Sequence, residues 1–99
     1  MKYTLRATQT YGKWFAGVKD HSVKIKILSR LARVENGNFG DYKQLGDNLF
    51  ELRFFFGGGL RIYYTIRAGE VVLLLAGGNK STQASDIDKV VKIFGKLED

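Results

Sequence analysis

The sequence predicts an α+β fold: a single antiparallel-dominated sheet with two N-terminal helices packed on it and a C-terminal helix, in the order β-α-α-β-β-β-β-α. Three observations carry this. Three runs rich in β-branched and aromatic residues, Leu49–Phe56, Leu60–Ile66 and the stretch VVLLLAG, are separated by the turns GGG and RAGE, the pattern of an antiparallel meander. Apolar residues recur one helical turn apart at Val23, Ile27, Leu31 and Val34. The same period returns near the C-terminus at Ile87, Val90, Val91, Phe94 and Leu97.

Element by element, Lys2–Arg6 alternates and reads as a strand. In QTYGKWFAGV, Tyr11, Trp14, Phe15 and Val18 fall at helical spacing, which predicts a short helix interrupted by glycines. The second helix starts at Asp20 or Ser22 and stops at Asn36 and Gly37. A short strand is expected at Tyr42–Leu45, followed by the three-strand meander. The last helix takes Ser81 or Ser85 as its N-cap. With strands grouped between helices, the order places the helices on one side of one sheet.

A chain of 99 residues is a single domain, residues 1–99, with one core. The chain contains no cysteine and a single histidine, His21, so disulfides and thiolate metal sites are excluded and no metal or cofactor is expected. No His, Asp, Ser or Cys spacing matches a nucleophilic triad. The apolar run VVLLLAGG is far shorter than the roughly 20 residues of a membrane helix, and MKYTLRATQT lacks a signal-type apolar core. A soluble cytoplasmic protein is expected, with no membrane partner. The 16 Lys and Arg outnumber the 10 Asp and Glu, a net +6, which favours nucleic acid or an acidic protein segment as partner.

Strand period two divides the hairpin into faces. Phe50, Leu52 and Phe54 share one face, and Leu49, Glu51, Arg53 and Phe55 the other. On the next strand Leu60, Ile62, Tyr64 and Ile66 oppose Arg61, Tyr63 and Thr65. If the apolar sets cover the core, Arg53, Glu51, Arg61 and Tyr63 emerge together on an open face, near the loop that carries Lys80. Ordinary surface pairing of Arg53 with Glu51 is the plainer alternative. Tyr63 is the stacking candidate on that cationic face. On the second helix Lys26, Arg30 and Arg33 form a basic ridge, either a solvated face or a nucleic-acid contact.

The segment LLLAGGNKSTQASDID leaves a strand through glycines into a helix with Lys80, Ser81 and Thr82 at its mouth. It is not a Walker loop, because Asn79 precedes the lysine and no glycine stands at the required earlier position. Backbone N–H groups and the Lys80 charge would still welcome an anion there; simple strand-to-helix punctuation is the alternative.

The stretch ELRFFFGGGLRIYYTIRAGEVVLLLAGGNKSTQASDI, with ENGNFGDYKQLGDNLFELR before it, resembles the RelE/ParE superfamily of small bacterial toxins. Within it, the resemblance is to the putative addiction module killer proteins, the phage Gp49-like and HigB-type branch. The resemblance implies the RelE-like toxin fold and a toxin–antitoxin system. It also implies a cytoplasmic mRNA interferase, a ribosome-dependent endoribonuclease that inhibits translation. The implied partners are ribosome-bound mRNA and a cognate helix-turn-helix antitoxin, with a heterotetramer as a candidate assembly. By the same resemblance Arg61, Arg53 and Lys80 are candidate catalytic residues, and the strand-face reading adds Tyr63; the helix ridge and the glycine loop give Lys26, Arg30, Arg33, Lys80 and Ser81 as candidate RNA contacts. For the general base, Lys80, Tyr63 and Glu51 all stay open. Glu51 stands where the prototype has a lysine, and the prototype's tyrosine in the last helix has no counterpart here. Two other readings stay open, a ParE-like DNA gyrase poison without catalysis and a non-catalytic basic binding domain.

Overall fold

The computed structural model describes residues 2–97. Its elements run β1 (Thr4–Ala7), α1 (Gln9–Ala16), α2 (His21–Glu35), β2 (Tyr42–Gly46), β3 (Leu49–Arg53), β4 (Arg61–Arg67), β5 (Val71–Gly78), a 3-10 turn (Lys80–Thr82) and α3 (Gln83–Leu97). This is the order read from the sequence. The five strands form one sheet, β1-β5-β4-β3-β2. Strands β2 to β5 pair antiparallel in chain order, and β5 then lies parallel to β1. The helices α1 and α2 carry the chain from one edge of the sheet to the other, and the meander brings it back.

Capping sets the helix starts. Asp20 Oδ1 accepts from the backbone N–H groups of Ser22 and Val23 and from the Ser22 hydroxyl, so α2 begins at His21. Thr8 Oγ1 accepts from the Tyr11 N–H at 3.1 Å and donates to the Leu75 carbonyl at 2.8 Å, tying α1 to β5. The stripe Ile27, Leu31 and Val34 is buried against Leu52, Ile62, Tyr64, Val72 and Leu74.

The expectation that all helices share one side is corrected. A second buried cluster, Leu49, Tyr63, Leu75, Ala76 and Val90, lies on the other face of the sheet, with Ile87, Ile93 and Leu97 of α3 packed on it. The central strand β4 is apolar on both faces, so both must be covered. A bulge helps: Tyr63 pairs with Ala76 and Tyr64 with Leu74, and the extra residue Leu75 adds to the α3 side. Within α3 the core face is Ile87, Val90, Ile93 and Leu97, whereas Val91 is 52% exposed.

The β3–β4 hairpin is tightly closed. Phe54 N–H donates to the Leu60 carbonyl and Leu60 N–H to the Phe56 carbonyl, each at 3.0 Å. Gly57, Gly58 and Gly59 take φ of 61°, 71° and 76°, left-handed values that side chains disfavour.

Candidate functional site

Arg53 ends β3, Arg61 begins β4, and the two are direct partners in the ladder. Arg61 also pairs with Gly78, the last residue of β5, and Lys80 follows just beyond it. The strand ends therefore bring Arg53, Arg61 and Lys80 to one end of the sheet. Like charges directly opposite repel, and each arginine here has a carboxylate nearby. Arg53 Nε lies 3.8 Å from Asp41 Oδ2, and Arg61 Nε lies 3.9 Å from Glu51 Oε1. Both distances are too long for hydrogen bonds, and neither Nε finds an acceptor among the described residues. Arg53 keeps 39% of its side chain exposed and Arg61 keeps 12%.

The expected open face is not open, because α3 lies over it. Glu51 is 1% exposed and Tyr63 is fully buried. Gln83 Nε2, at the start of α3, donates to both Glu51 oxygens at 3.0 and 3.3 Å. Among the described residues the Tyr63 hydroxyl has no hydrogen-bond partner, and its pKa is pushed up first by burial, then by the Glu51 and Asp86 carboxylates, with Arg61 opposing. Tyr63 is therefore an interior phenol rather than a stacking platform. Asp86, also buried, accepts from the Thr82 hydroxyl at 2.5 Å. Gly78 has to be glycine, since a β-carbon there would overlap the Asp86 carboxylate.

The 3-10 turn that leads into α3 is capped by Asn79; Ser81 lies within that turn, and Ser85, inside α3, donates its hydroxyl to the Thr82 carbonyl. Asn79 Oδ1 accepts from Ser81 N–H, Ser81 Oγ and Thr82 N–H at 3.0, 2.7 and 3.2 Å. Thr82 Oγ1 returns the favour to Asn79 N–H, closing a capping box. Lys80 N–H donates to the Gly58 carbonyl of the β3–β4 loop at 3.2 Å. The backbone donors imagined for an anion are thus already engaged. What the loop offers outward is the Lys80 side chain, which is exposed and, among the described residues, unpaired with any carboxylate.

The basic ridge of α2 belongs to the opposite face of the sheet. Arg30 is not a free cation there. Its guanidinium donates to the carbonyls of Phe39, Arg53 and Asp41 at 2.9, 3.1 and 2.7 Å and stacks over Phe54 at 4.7 Å. Lys26 sits over Phe56 at 4.9 Å, and Arg33 is exposed. Lys26 and Arg33 are thus separated from the Arg53–Arg61–Lys80 group by the sheet. Sequence reasoning missed Gln83, Asp41 and Asp86 as neighbours of the site. The Asn-x-Ser-Thr run at residues 79–82 was a readable capping signal.

A model of the family described as Phage derived protein Gp49-like matches residues 13–96. An uncharacterized protein of Haemophilus influenzae is 42% identical over 97 residues, covering 98% of both chains. Among solved structures, a mutant of the Escherichia coli toxin RelE in the free state superposes with a TM-score of 0.74 at 21% identity, covering 93% of this chain and 97% of that one. The toxin–antitoxin complex RelBE2 from Mycobacterium tuberculosis contains a chain matching at TM-score 0.65 and 18% identity, over 81% of this chain and 100% of that one.

Proposed function

The chain belongs to the Gp49-like family of phage-derived proteins and has the RelE toxin fold, and from that premise we propose that it is the toxin of a type II toxin–antitoxin module, cutting mRNA on the ribosome. The observation that carries this reading is the convergence of Arg53, Arg61 and Lys80 at one end of the sheet. The antitoxin partner is inferred from the toxin–antitoxin complexes among the structural relatives.

RNA cleavage by internal attack forms a bond from the 2′-oxygen to phosphorus as the bond to the 5′-oxygen breaks, leaving a 2′,3′-cyclic phosphate. Charge grows on the non-bridging oxygens, and arginine is suited to hold it because it stays protonated and donates through a planar fork. Arg53, the more open of the pair, orients the phosphate, and Arg61 behind it supplies the second guanidinium. Of the groups considered for proton transfer, Glu51 and Tyr63 are sealed beneath α3, whereas Lys80 is exposed. Lys80, as an ammonium, therefore gives a proton to the 5′-oxygen as it leaves, and the 2′-hydroxyl loses its proton to solvent water. With no histidine at the site, alignment of the RNA by the ribosome is a necessary part of the rate.

The test is induction of the wild-type chain in bacteria with parallel assays of translation-coupled mRNA cleavage and of gyrase supercoiling. Growth arrest with A-site cleavage and unimpaired supercoiling is the expected result. Arrest with inhibited supercoiling and intact transcripts would replace the nuclease with a gyrase poison.

A further inference from the structure

Three consecutive phenylalanines open the β3–β4 loop, and they meet three different fates. Phe54 is 4% exposed in the core, with the Arg30 guanidinium over its ring. Phe56 packs against the same core, edge-on to Phe54 at 5.3 Å, with the Lys26 ammonium over it. Phe55 is 92% exposed. Phe50, Leu52, Phe54 and Phe56 all pack on the α2 side, and Phe55, two residues after Arg53, is left in solvent.

The loop that holds this bare ring is not slack. Its stem is closed by the two backbone hydrogen bonds between Phe54, Phe56 and Leu60. Its glycine tip is pinned to the Lys80 segment by the Lys80 N–H bond to Gly58, and a β-carbon on Gly59 would stand 3.1 Å from that of Lys80. Phe55 is therefore carried on the same rigid assembly that positions Arg53, Arg61 and Lys80. An apolar ring exposed on the loop that joins Arg53 to Arg61 and touches the Lys80 segment has the make-up of a single-strand RNA contact, where cations track the phosphates and an aromatic face takes a base.

Building on the proposed nuclease function, we propose that Phe55 is a stacking platform for a nucleobase flanking the scissile phosphate. A protein partner would also accept a phenyl ring, but the neighbouring Arg53, Arg61 and Lys80 favour a polyanion with a flat apolar face. Stacking on any base is tolerated, so Phe55 contributes affinity for the strand with little codon selectivity.

The test is steady-state cleavage of a short mRNA on programmed ribosomes by the wild type, Phe55→Ala, Phe55→Leu and Phe55→Trp. A second mRNA carries 2-aminopurine, a fluorescent adenine analogue, in the A-site codon and a 2′-O-methyl group that blocks cleavage. Because the ring is exposed, all variants should fold. Phe55→Ala and Phe55→Leu should raise KM about tenfold with kcat within about twofold, and Phe55→Trp should restore the wild-type value. The wild type should quench 2-aminopurine, and Phe55→Ala should not. A cleaving Phe55→Ala enzyme with unchanged KM and quenching would overturn the proposal and leave the nuclease reading intact. Loss of antitoxin binding in Phe55→Ala with unchanged KM would likewise overturn it, assigning the ring to a protein contact. A wild type that neither cleaves nor binds mRNA on ribosomes would overturn both readings together.

Discussion

The carboxamide of Gln83, at the first turn of α3, reaches the buried carboxylate of Glu51 on β3 and donates to both of its oxygens. That one contact joins the helix covering the sheet to the ion pair behind the candidate site, since Glu51 is also the carboxylate nearest Arg61 Nε. Removing one partner of a buried pair leaves the other charge uncompensated, which costs more than the pair contributes. Glu51→Ala should therefore destabilise the fold by about 3 kcal/mol or more in urea unfolding. It should also lower kcat for cleavage with little change in KM, because Arg61 loses its orientation. Gln83→Glu, which sets a second negative charge against Glu51, should destabilise as well.

The interior placement of Tyr63 leads to the opposite expectation for its hydroxyl. Burial and the nearby carboxylates hold the folded-state pKa above the ordinary tyrosine value. The neutral phenol's contribution to stability is then complete below about pH 10 and is lost as pH rises through the folded value. Tyr63→Phe should flatten the alkaline limb of the stability profile above about pH 10, without abolishing it. Tyr11 retains the same behaviour, its pKa pushed up to about 12 by burial. Because the Tyr63 hydroxyl lacks a hydrogen-bond partner among the described residues, its removal should cost little stability at neutral pH, and cleavage should persist. Thermal melts across pH, with a cleavage assay at pH 7, check both points.

Arg30 is expected to behave as a structural residue. It fastens α2 to the connection before β2 and to the end of β3 through three backbone carbonyls. Arg30→Ala should lose about 2–3 kcal/mol in chemical denaturation. Arg30→Lys should recover little, since a single ammonium cannot reproduce the forked geometry. Arg33→Ala, at an exposed position, should stay within about 0.5 kcal/mol of the wild type.

The start of α2 gives an acid-limb expectation. The Ser22 hydroxyl and the Ser22 and Val23 N–H groups hold the Asp20 carboxylate below its usual pKa. Its contribution is present above the ordinary aspartate value and is lost as pH falls through the depressed one. Asp20→Ala should lower the melting temperature at pH 7, with a difference that shrinks on acidification.

Much of this molecule was legible from local patterns. The Val23–Val34 stripe, the Asp20 start and the glycine-bounded strands all depend on short-range periodicity and capping, and each is present. What escaped depends on contacts between distant segments. Tyr63 and Glu51 looked outward because period two gives a face but not what covers it, and α3 supplies the cover. Arg30 looked like a surface charge because its acceptors come from the chain around residues 39, 41 and 53. The bulge at Leu75 shifts which side chains share a face, and no local signal marks it.

The central claim is that Arg53, Arg61 and Lys80 act together on one phosphate. It is tested most directly by single-turnover cleavage of mRNA on programmed ribosomes, comparing the wild type with Arg61→Lys and with the double variant Arg53→Gln/Lys80→Gln. The wild type should cut within the A-site codon, and each variant should cut at least about 100-fold more slowly while keeping a native melting transition. Cleavage at the wild-type rate by the folded double variant would contradict the claim.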